Sequence, residues 1–455
     1  MKKNQTGFWF VVITTSLAFV VSQLDVSIVN VAVPQIGKSF SANISTLQWI
    51  VDAYTIAFAV LMLSAGGMSD LLGSRRLFQI GILIFGIASV GCGLACNARS
   101  LIGFRALQGI GSATMIPSSL SILSNNFSNE PKLKARAIAY WTAGGAISIA
   151  AGPVVGGLLV NMSSWRIIFL VNIPICLAGF FLSIYLTDSV KSKSKGFDIP
   201  GQLIWMLALT VFIAAMIEWH TLGPTSPIIY GGISFSILML IMFIWRERVA
   251  KAPILPLDLF NSRNFNVFIG LGMSLNWIYY GLVFVLSLYL QQVLHYTAFQ
   301  TGLAFLPLTG GFLISNLMSG YLMDRYGIRV PILIGSVVFA AGCICLLAAK
   351  TETPYWHLLF PFFGLPFGMG VAVPAMTTGT LATVTAGRSG IASAVLNTTR
   401  QAAGAVDVAV FGTMASGGTN QIVSAITVIA IIAAVYMLFY ALLIYKTLQE
   451  LNHYK

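Results

Sequence analysis

Charge is scarce in this chain. Only 8% of its 455 residues are charged, and Asp and Glu together number 13. Soluble domains carry about 25% charged residues, so the composition excludes a soluble globular protein. The five cysteines show no metal-ligand spacing, and no Gly-x-x-x-x-Gly-Lys-Ser/Thr phosphate loop is present. We therefore expect no metal, no cofactor and no nucleotide-driven motor in the chain.

Long apolar runs occupy most of the sequence. Hydrophobic residues make up 57% of it, and we find fourteen stretches of about twenty residues, the length that crosses a bilayer as a helix. Backbone groups in lipid must be satisfied within each segment, so each stretch should be helical. We predict an all-α integral membrane protein with fourteen transmembrane helices at 8–33, 47–66, 77–97, 99–122, 135–160, 166–187, 201–219, 227–245, 267–292, 301–323, 330–349, 355–378, 388–415 and 421–445.

The positive charge follows membrane topology. A net charge of +12 could suggest nucleic acid. With a cytoplasmic N-terminus, however, nineteen of the 25 Lys and Arg residues fall on the inner side and two fall within helices. The outer side then holds four, namely Lys38, Arg99, Arg166 and Lys350. Cytoplasmic loops carry an excess of Lys and Arg, so we predict both termini inside and no nucleic-acid partner.

The chain divides into paired halves. Polar stretches at 187–201 and 246–266 separate six, two and six helices, which predicts halves at 1–190 and 266–455 around a central segment, 191–265. The segments 66–76 and 320–329 both read Gly-x-x-x-Asp-x-x-Gly followed by Arg. Such repeats are typical of secondary transporters. The residues of interest in this loop motif are Gly66, Asp70, Gly73, Arg75, Arg76, Asp324 and Arg325.

Five motifs carry a resemblance to a known family. They lie at 24–34, 66–76, 101–111, 152–157 and 165–174. Together they resemble the major facilitator superfamily, and within it the fourteen-helix drug:proton antiporter family. The resemblance implies the MFS fold, with a 6 + 2 + 6 arrangement of helices, in a bacterial inner membrane. It also implies that the loop motif acts as a conformational latch, although an ordinary cytoplasmic turn would have the same residues.

Small residues recur every four positions in the fifth helix. Gly144, Ser148, Gly152 and Gly156 form one stripe, which lets a neighbouring helix approach closely. Pro153 frees a backbone carbonyl and can bend the helix. The resemblance makes the segment Ser148, Gly152, Pro153, Gly156 and Gly157 a sealing and hinge element of antiporters. Plain tight packing is the alternative.

Two ionisable residues are expected to couple transport to protons. Asp25 in the first helix and Arg105 in the fourth lie inside apolar segments. Intramembrane charges persist mainly where they face a cavity or a partner. Burial disfavours an ionised carboxyl and a nearby guanidinium favours it, so Asp25 could load and release a proton with Arg105 as its partner. A static ion pair is the alternative.

Asp407 is a third intramembrane charge. It lies seven residues after Arg400, so both residues share a helix face about 10 Å apart. We interpret Asp407 as a second acidic site, for a proton or a cationic substrate. A neutral aspartic acid packed between helices is the rival interpretation.

The substrate contacts are less specific in sequence. Aromatic faces attract organic cations, and polar groups inside the helices can orient a substrate. On these grounds we expect the cavity to include Asp52, Gln108, Trp141, Trp277, Tyr280 and Arg400.

We therefore predict a proton-coupled antiporter that exports amphiphilic, cationic compounds. Its coupling ion is the proton, its surroundings are membrane lipids, and it is expected to function as a monomer and not as an enzyme. A fold does not fix a substrate, so export of a specific metabolite or siderophore is the alternative. A sensor without flux would need a soluble domain, which no loop supplies.

Overall fold

The described part of the chain is helical. The computed structural model describes residues 2–127, 130–186, 198–223, 225–250, 253–384 and 389–447, and these contain no β-strand. The α-helices are α1 Lys2–Phe40, α2 Ile44–Leu72, α3 Ser74–Gly93, α4 Ala98–Asn126, α5 Pro131–Met162, α6 Ile167–Leu170, α7 Asn172–Ser183, α8 Ile199–Leu222, α9 Pro227–Val249, α10 Arg263–Leu288, α11 Ala298–Ala304, α12 Leu306–Tyr326, α13 Arg329–Cys345, α14 Trp356–Ala382, α15 Ser389–Met414 and α16 Thr419–Thr447. Short 3₁₀ turns occupy Leu257–Asn261 and Leu346–Ala348, and a π turn, Tyr289–Val293, extends α10.

Most of these helices suit a bilayer. Among the described residues, ten helices are long and apolar enough to cross a membrane, or eleven if the bent helix α5 counts as one span. Helices α4 and α15, which include charged and hydroxyl side chains, fall outside this set, and the predicted segment 166–187 forms a shorter apolar helix, Ile167–Ser183. The protein is therefore a multi-pass membrane protein, and the two helices outside the set carry the intramembrane residues Arg105, Arg400 and Asp407.

Side-chain caps fix where two of the helices begin. Asn43 accepts a hydrogen bond of 2.9 Å from the backbone N–H of Thr46 and starts α2. Asn97 and Ser100 form a reciprocal capping box at the start of α4. Caps of this kind satisfy backbone donors that a helix leaves unpaired. The register of α4, and with it the position of Arg105, is thereby set from its first turn.

The chain forms two compact units. The first comprises Met1–Val211 and Ser234–Ile254, and the second comprises Phe212–Ile233 and Leu255–Lys455. The central segment 191–265 is divided between them and does not form a unit of its own. In the first unit α1 packs along α5, while α2 and α3 both pack along α4. In the second unit α10 packs along α15, while α12 and α13 both pack along α14. The same pairing order thus recurs in both units, as a repeated six-helix half would require.

Glycines permit the closest helix contacts in each unit. A Cβ on Gly111 of α4 would lie 2.8 Å from the carbonyl oxygen of Gly81 in α3. In the second unit, a Cβ on Gly368 of α14 would lie 2.7 Å from the backbone nitrogen of Phe339 in α13. Small residues at such crossings let two backbones touch. In both units, therefore, a glycine permits the close contact, between α3 and α4 in the first and between α13 and α14 in the second.

Candidate functional site

The predicted partners Asp25 and Arg105 form a buried ion pair. Arg105 in α4 donates from Nη1 to Oδ2 of Asp25 in α1. The two side chains are 1% and 0% exposed, respectively. Burying each ion costs several kcal/mol, which mutual attraction offsets only when further hydrogen bonds satisfy the remaining atoms. The groups around the pair therefore matter as much as the pair itself.

The second carboxylate oxygen of Asp25 accepts from two amides. Oδ1 accepts from Nδ2 of Asn172 at 2.8 Å and from Nε2 of Gln108 at 3.2 Å. The same two amide groups also donate to Oγ of Ser89 in α3, at 3.4 Å and 2.8 Å. Hydrogen bonds from amide donors stabilise an ionised carboxylate. Gln108, predicted as a substrate contact, thus belongs to the surroundings of Asp25.

Arg105 has partners besides Asp25. Its Nε donates to the carbonyl of Ile50 at 3.1 Å, and its Nη1 also donates to Oε1 of Gln108 at 2.9 Å. The guanidinium carbon lies 4.5 Å from the ring centre of Tyr54 and 5.9 Å from that of Phe169. Aromatic faces attract cations, most strongly where water is excluded. The guanidinium is therefore held whether or not Asp25 carries its charge.

Three hydroxyl groups continue the polar region beside the ion pair. The phenol of Tyr54 lies 2.6 Å from Oγ of Ser22 and 2.8 Å from Oγ of Ser112, and Ser22 donates to Ser112 at 3.1 Å. Ser22 is one turn before Asp25 on α1. A hydroxyl can both donate and accept a hydrogen bond. This hydroxyl cluster can therefore reorganise when the charge of Asp25 changes.

Asp52 is a buried carboxyl group of another kind. It lies in α2 and is fully buried. Neither of its side-chain oxygens has a hydrogen-bond partner among the described residues. An ionised carboxylate in such a place needs a cation or hydrogen-bond donors. Asp52 can thus bind a proton or a positively charged group.

Two charged residues of α15, Arg400 and Asp407, face α10. Oδ2 of Asp407 accepts from the backbone N–H of Gly281 at 2.7 Å. Arg400 donates from Nε to Oδ1 of Asn276 at 3.0 Å. On α10, the acceptor Asn276 and the donor Gly281 are five residues apart. The shared helix face predicted for Arg400 and Asp407 is therefore the face that packs against α10.

Trp141 lies in the apolar interior of the first unit. Its ring stacks on Phe19, with centroids 4.1 Å apart and planes at 9°. Its indole nitrogen donates to Oγ of Ser119 at 3.1 Å. Both its face and its polar tip are engaged, so Trp141 contributes packing in this structure.

Trp277 and Tyr280 are more accessible. Both are half-buried residues of α10. Trp277 packs at 5.3 Å against Phe411 and at 6.2 Å against Tyr436, and Tyr280 lies edge-on to Tyr279 at 5.6 Å. Of the three predicted aromatic contacts, these two keep surface for a ligand.

The loop motif forms a tight turn in both units. Gly73 and Gly327 have φ values of 94° and 74°, a region that glycine adopts without strain. They connect α2 to α3 and α12 to α13. Gly66 falls within α2, whereas the side chains of Asp70 and Asp324 lie outside the described residues. The turn is therefore a shared property of the repeat, and the proposed latch stays a prediction.

Two arginines of the motif, Arg75 and Arg325, donate hydrogen bonds within their own unit. Arg75 donates to the carbonyl of Leu186 at 3.0 Å, which ties the start of α3 to the chain after α7. Arg325 donates to the hydroxyl of Tyr321 one turn earlier, at 2.8 Å. Arg76 is exposed. Arg75 thus links two segments of the first unit, whereas Arg325 bonds within the last turns of its own helix.

The small-residue stripe of α5 lies against α1. Ser27 of α1 donates to the carbonyl of Ile149 at 2.7 Å. A Cβ on Gly152 would overlap the side chain of Ser27, and one on Gly156 would lie 3.1 Å from the carbonyl oxygen of Ile28. Ser148 donates to the carbonyl of its own helix at Gly144, at 2.8 Å. The stripe therefore brings α5 onto the helix that carries Asp25.

Helix α5 is also bent. Its parts Arg136–Ile149 and Ala151–Met162 meet at 42°. Pro153 and Gly157 lie buried just after the bend. A proline removes a backbone hydrogen bond and frees the carbonyl four residues earlier, which accounts for a bend at this place.

Asn172 is the site residue that sequence reasoning missed. It lies in the motif at 165–174, which was recognised only as a family feature. In the structure it is fully buried at the first turn of α7, directly after the break that ends α6. The available signal was an amide side chain inside an apolar segment, which needs a buried partner.

Comparisons with known proteins identify the family of the chain. The family model described as Major Facilitator Superfamily matches residues 15–406. The chain is therefore a member of the major facilitator superfamily.

Its relatives include named resistance proteins. It is 34% identical over 409 residues to the "Methylenomycin A resistance protein" of Bacillus subtilis (strain 168), covering 88% of this chain and 86% of that one. It is 35% identical over 405 residues to the "Multidrug resistance protein Stp" of Mycobacterium tuberculosis (strain CDC 1551 / Oshkosh), covering 88% and 75%.

A solved structure shares the fold. The crystal structure of a bacterial homolog to the human lysosomal transporter Spinster, in an inward-facing and unoccupied conformation, superimposes with a TM-score of 0.68. The match covers 96% of this chain and 98% of that one at 14% sequence identity. The two chains thus share one helical fold.

Proposed function

We propose that this protein exports amphiphilic, cationic drugs from the cytoplasm in exchange for protons. Relatives named for drug and antibiotic resistance support drug export. The observation that carries the proton coupling is the buried ion pair between Asp25 and Arg105. A titratable group in a membrane interior is suited to carry a proton when its hydrogen bonds can rearrange on protonation.

The exchange of a proton for a drug follows from the two states of Asp25. A proton arriving from the outside converts the carboxylate to the acid and cancels its attraction for Arg105. The loaded site then opens to the cytoplasm, releases the proton and accepts the drug. Exchange is obligatory when the empty carrier does not return to the outside, because a proton then crosses only if a drug is carried back.

A second acidic site would change the energetics. One proton exchanged for one monovalent cation moves no net charge, so only the pH gradient drives it. Each further charge moved across 100 mV supplies about 2.3 kcal/mol. We propose that Asp407 binds this second proton, which lets the membrane voltage contribute to export.

For the substrate we propose Asp52 as a contact in the first unit and, separately, the aromatic residues of α10 as contacts in the second unit. Asp52 is a buried carboxyl with no hydrogen-bond partner among the described residues. Trp277 and Tyr280 are half-buried. A carboxylate and aromatic faces are the groups that recognise an organic cation.

We further propose fourteen spans with both termini in the cytoplasm of a bacterial cell. The spans comprise two six-helix halves and the two additional helices α8 and α9, and the protein works as a monomer in the inner membrane. A fusion of green fluorescent protein to the C-terminus tests the orientation, because it fluoresces only on the cytoplasmic side. A dark but inserted fusion would contradict it.

The decisive experiment is ethidium transport by the purified protein in liposomes. A pH gradient and a voltage are imposed separately, and Asp25→Asn is compared with Asp258→Asn, the same change at an exposed residue of a 3₁₀ turn. We expect gradient-driven transport to be lost in the first variant and kept in the second. Undiminished transport by Asp25→Asn would end the proposal.

A narrower substrate range is the second candidate. Several relatives are named for one compound each, such as "Puromycin resistance protein pur8" of Streptomyces alboniger. A panel of unrelated cations and neutral compounds distinguishes the two. A drug exporter accepts several cations weakly, whereas a dedicated exporter responds to a single compound.

A further inference from the structure

Among the residues that the structure describes, only the donor half of the Asn172 amide is engaged. Its Nδ2 donates to Oδ1 of Asp25 at 2.8 Å and to Oγ of Ser89 at 3.4 Å. Its Oδ1 is buried and accepts no hydrogen bond from the described residues. A buried acceptor without a donor is costly, and its presence in a folded protein asks for an explanation.

The other groups on Asp25 do not share this property. Arg105 carries donors only. The Oε1 atom of Gln108 already accepts from Nη1 of Arg105 at 2.9 Å and from Sγ of Cys92 at 3.3 Å. Gln108 therefore loses two hydrogen bonds if its amide turns over. Asn172 loses none at its oxygen.

Protonation changes what Asp25 needs from its neighbours. The carboxylate only accepts hydrogen bonds, whereas the carboxylic acid also carries an O–H that must find an acceptor. A half-turn of the Asn172 amide exchanges the places of its nitrogen and its oxygen. The oxygen then stands where the nitrogen stood, within hydrogen-bond reach of Asp25.

We propose that Asn172 is the positioning residue that serves both protonation states of Asp25. It donates to the carboxylate and, after its amide turns, accepts from the acid. The inference rests on the proposed role of Asp25 as proton carrier. In this step one O–H bond of a hydronium ion breaks and one O–H bond forms on Asp25, with water released, and no other covalent bond changes.

Asp25 is the group near Asn172 that changes charge in this step. Among the described residues, the titratable groups that interact with Asp25 are Arg105 from α4, Tyr54 from α2, Cys92 from α3 and Cys176 from α7. Arginine stays charged, while phenols and thiols are neutral at pH 7. The orientation of the Asn172 amide therefore follows the protonation state of Asp25.

The test compares two modes of transport in liposomes. Transport driven by a pH gradient requires Asp25 to gain and lose a proton in each cycle. Exchange of labelled for unlabelled ethidium at equal pH does not require a net change of protonation. Asn172→Leu keeps the shape of the side chain and removes both polar atoms. We expect the ratio of driven transport to exchange to fall about tenfold, the effect of one hydrogen bond to a charged group.

The matched control is Asn316→Leu in α12. The amide of Asn316 donates to the carbonyl of Phe312 in its own helix, at 2.8 Å. Its substitution should leave the ratio as in the wild type. Equal losses of both transport modes in Asn172→Leu would mark Asn172 as merely structural and overturn the inference.

A spectroscopic measurement on the unaltered protein complements the variants. Infrared difference spectra between high and low pH, with asparagine side chains labelled with ¹⁵N, report any amide that changes its hydrogen bonds. We expect an asparagine band that disappears in Asp25→Asn. Its absence from the wild type would also overturn the inference.

The outcomes separate this inference from the proposed function. Wild-type driven transport by Asp25→Asn removes the proposed function, and the inference with it. Loss of driven transport in Asp25→Asn, together with a wild-type ratio in Asn172→Leu, removes only the role of Asn172.

Discussion

Asp407 on α15 accepts a hydrogen bond of 2.7 Å from the backbone N–H of Gly281, in the middle of α10. A backbone N–H inside a helix ordinarily donates to the carbonyl four residues earlier. The carboxyl group of Asp407 thus competes for a helical donor and links two helices. A change in its protonation would be felt directly by the backbone of α10.

The first prediction concerns Asp407→Asn. The amide oxygen can replace the carboxylate as acceptor for Gly281, so the fold should persist while the charge is lost. In the wild type, 100 mV should raise the steady-state ethidium gradient about fiftyfold, the equivalent of about 2.3 kcal/mol for one extra charge. The variant should show no response to voltage and should still respond to pH. A voltage response like that of the wild type would refute the second proton site.

The second prediction concerns the close approach at Gly281. A Cβ there would lie 3.0 Å from Cβ and Cγ of Asp407 and 2.6 Å from Cδ2 of Phe411. Gly281→Ala should therefore destabilise the protein by about 1–3 kcal/mol, as overpacking does. Thermal unfolding in detergent measures the effect.

Gly310→Ala in α12 is the control, because a Cβ at Gly310 meets nothing within 4 Å. Alanine is preferred to glycine inside a helix by about 1 kcal/mol, so this variant should be as stable as the wild type or more so. Equal losses in both variants would mean that the contact with Asp407 is not what makes Gly281 necessary.

The third prediction concerns the lone carboxyl of Asp52. If it attracts the charge of the substrate, Asp52→Asn should weaken ethidium binding about tenfold, the value of one charge-assisted contact. Binding of an uncharged drug should change little. Equilibrium binding of both ligands to the purified protein provides the comparison, and parallel losses for both would assign Asp52 to packing.

The fourth prediction compares two glycines of the same stripe. A Cβ on Gly152 would collide with the side chain of Ser27, two residues after Asp25, whereas one on Gly144 would lie 3.4 Å from Cγ2 of Val20. Gly152→Ala should therefore separate α5 from α1 and lower driven ethidium transport at least about tenfold, as displacement of a positioned group by about 1 Å can do. Gly144→Ala should transport nearly as the wild type does. Similar activities in both would leave the stripe without a role in coupling.

The pairing of Asp25 with Arg105 could be predicted from the sequence, because opposite charges in apolar helices need each other. The helical class was predictable for the same reason, since twenty apolar residues in lipid have few alternatives. The exact number of spans could not be predicted equally well from the sequence. Charged and hydroxyl side chains make α4 and α15 less apolar, and a break divides the predicted segment 166–187 into α6 and α7.

The rest of the site depends on which helices meet. Nothing in the spacing of Asn172 indicates that it reaches Asp25 across 147 positions of the chain. The sequence likewise does not indicate the partners of Arg400 and Asp407, because these partners, Asn276 and Gly281, lie on α10, more than 120 residues earlier. Helix faces can be inferred from periodicity, but the neighbour of each face is a property of the packed unit.

The aromatic faces of Tyr54 and Phe169 beside Arg105 have one further consequence. Together with the carbonyl of Ile50 they accommodate the guanidinium independently of Asp25. Neutralising the aspartate therefore leaves an uncompensated positive centre in the first unit. A drug cation approaching at that moment would be repelled by like charge, so electrostatics alone would discourage proton and drug from occupying the carrier together.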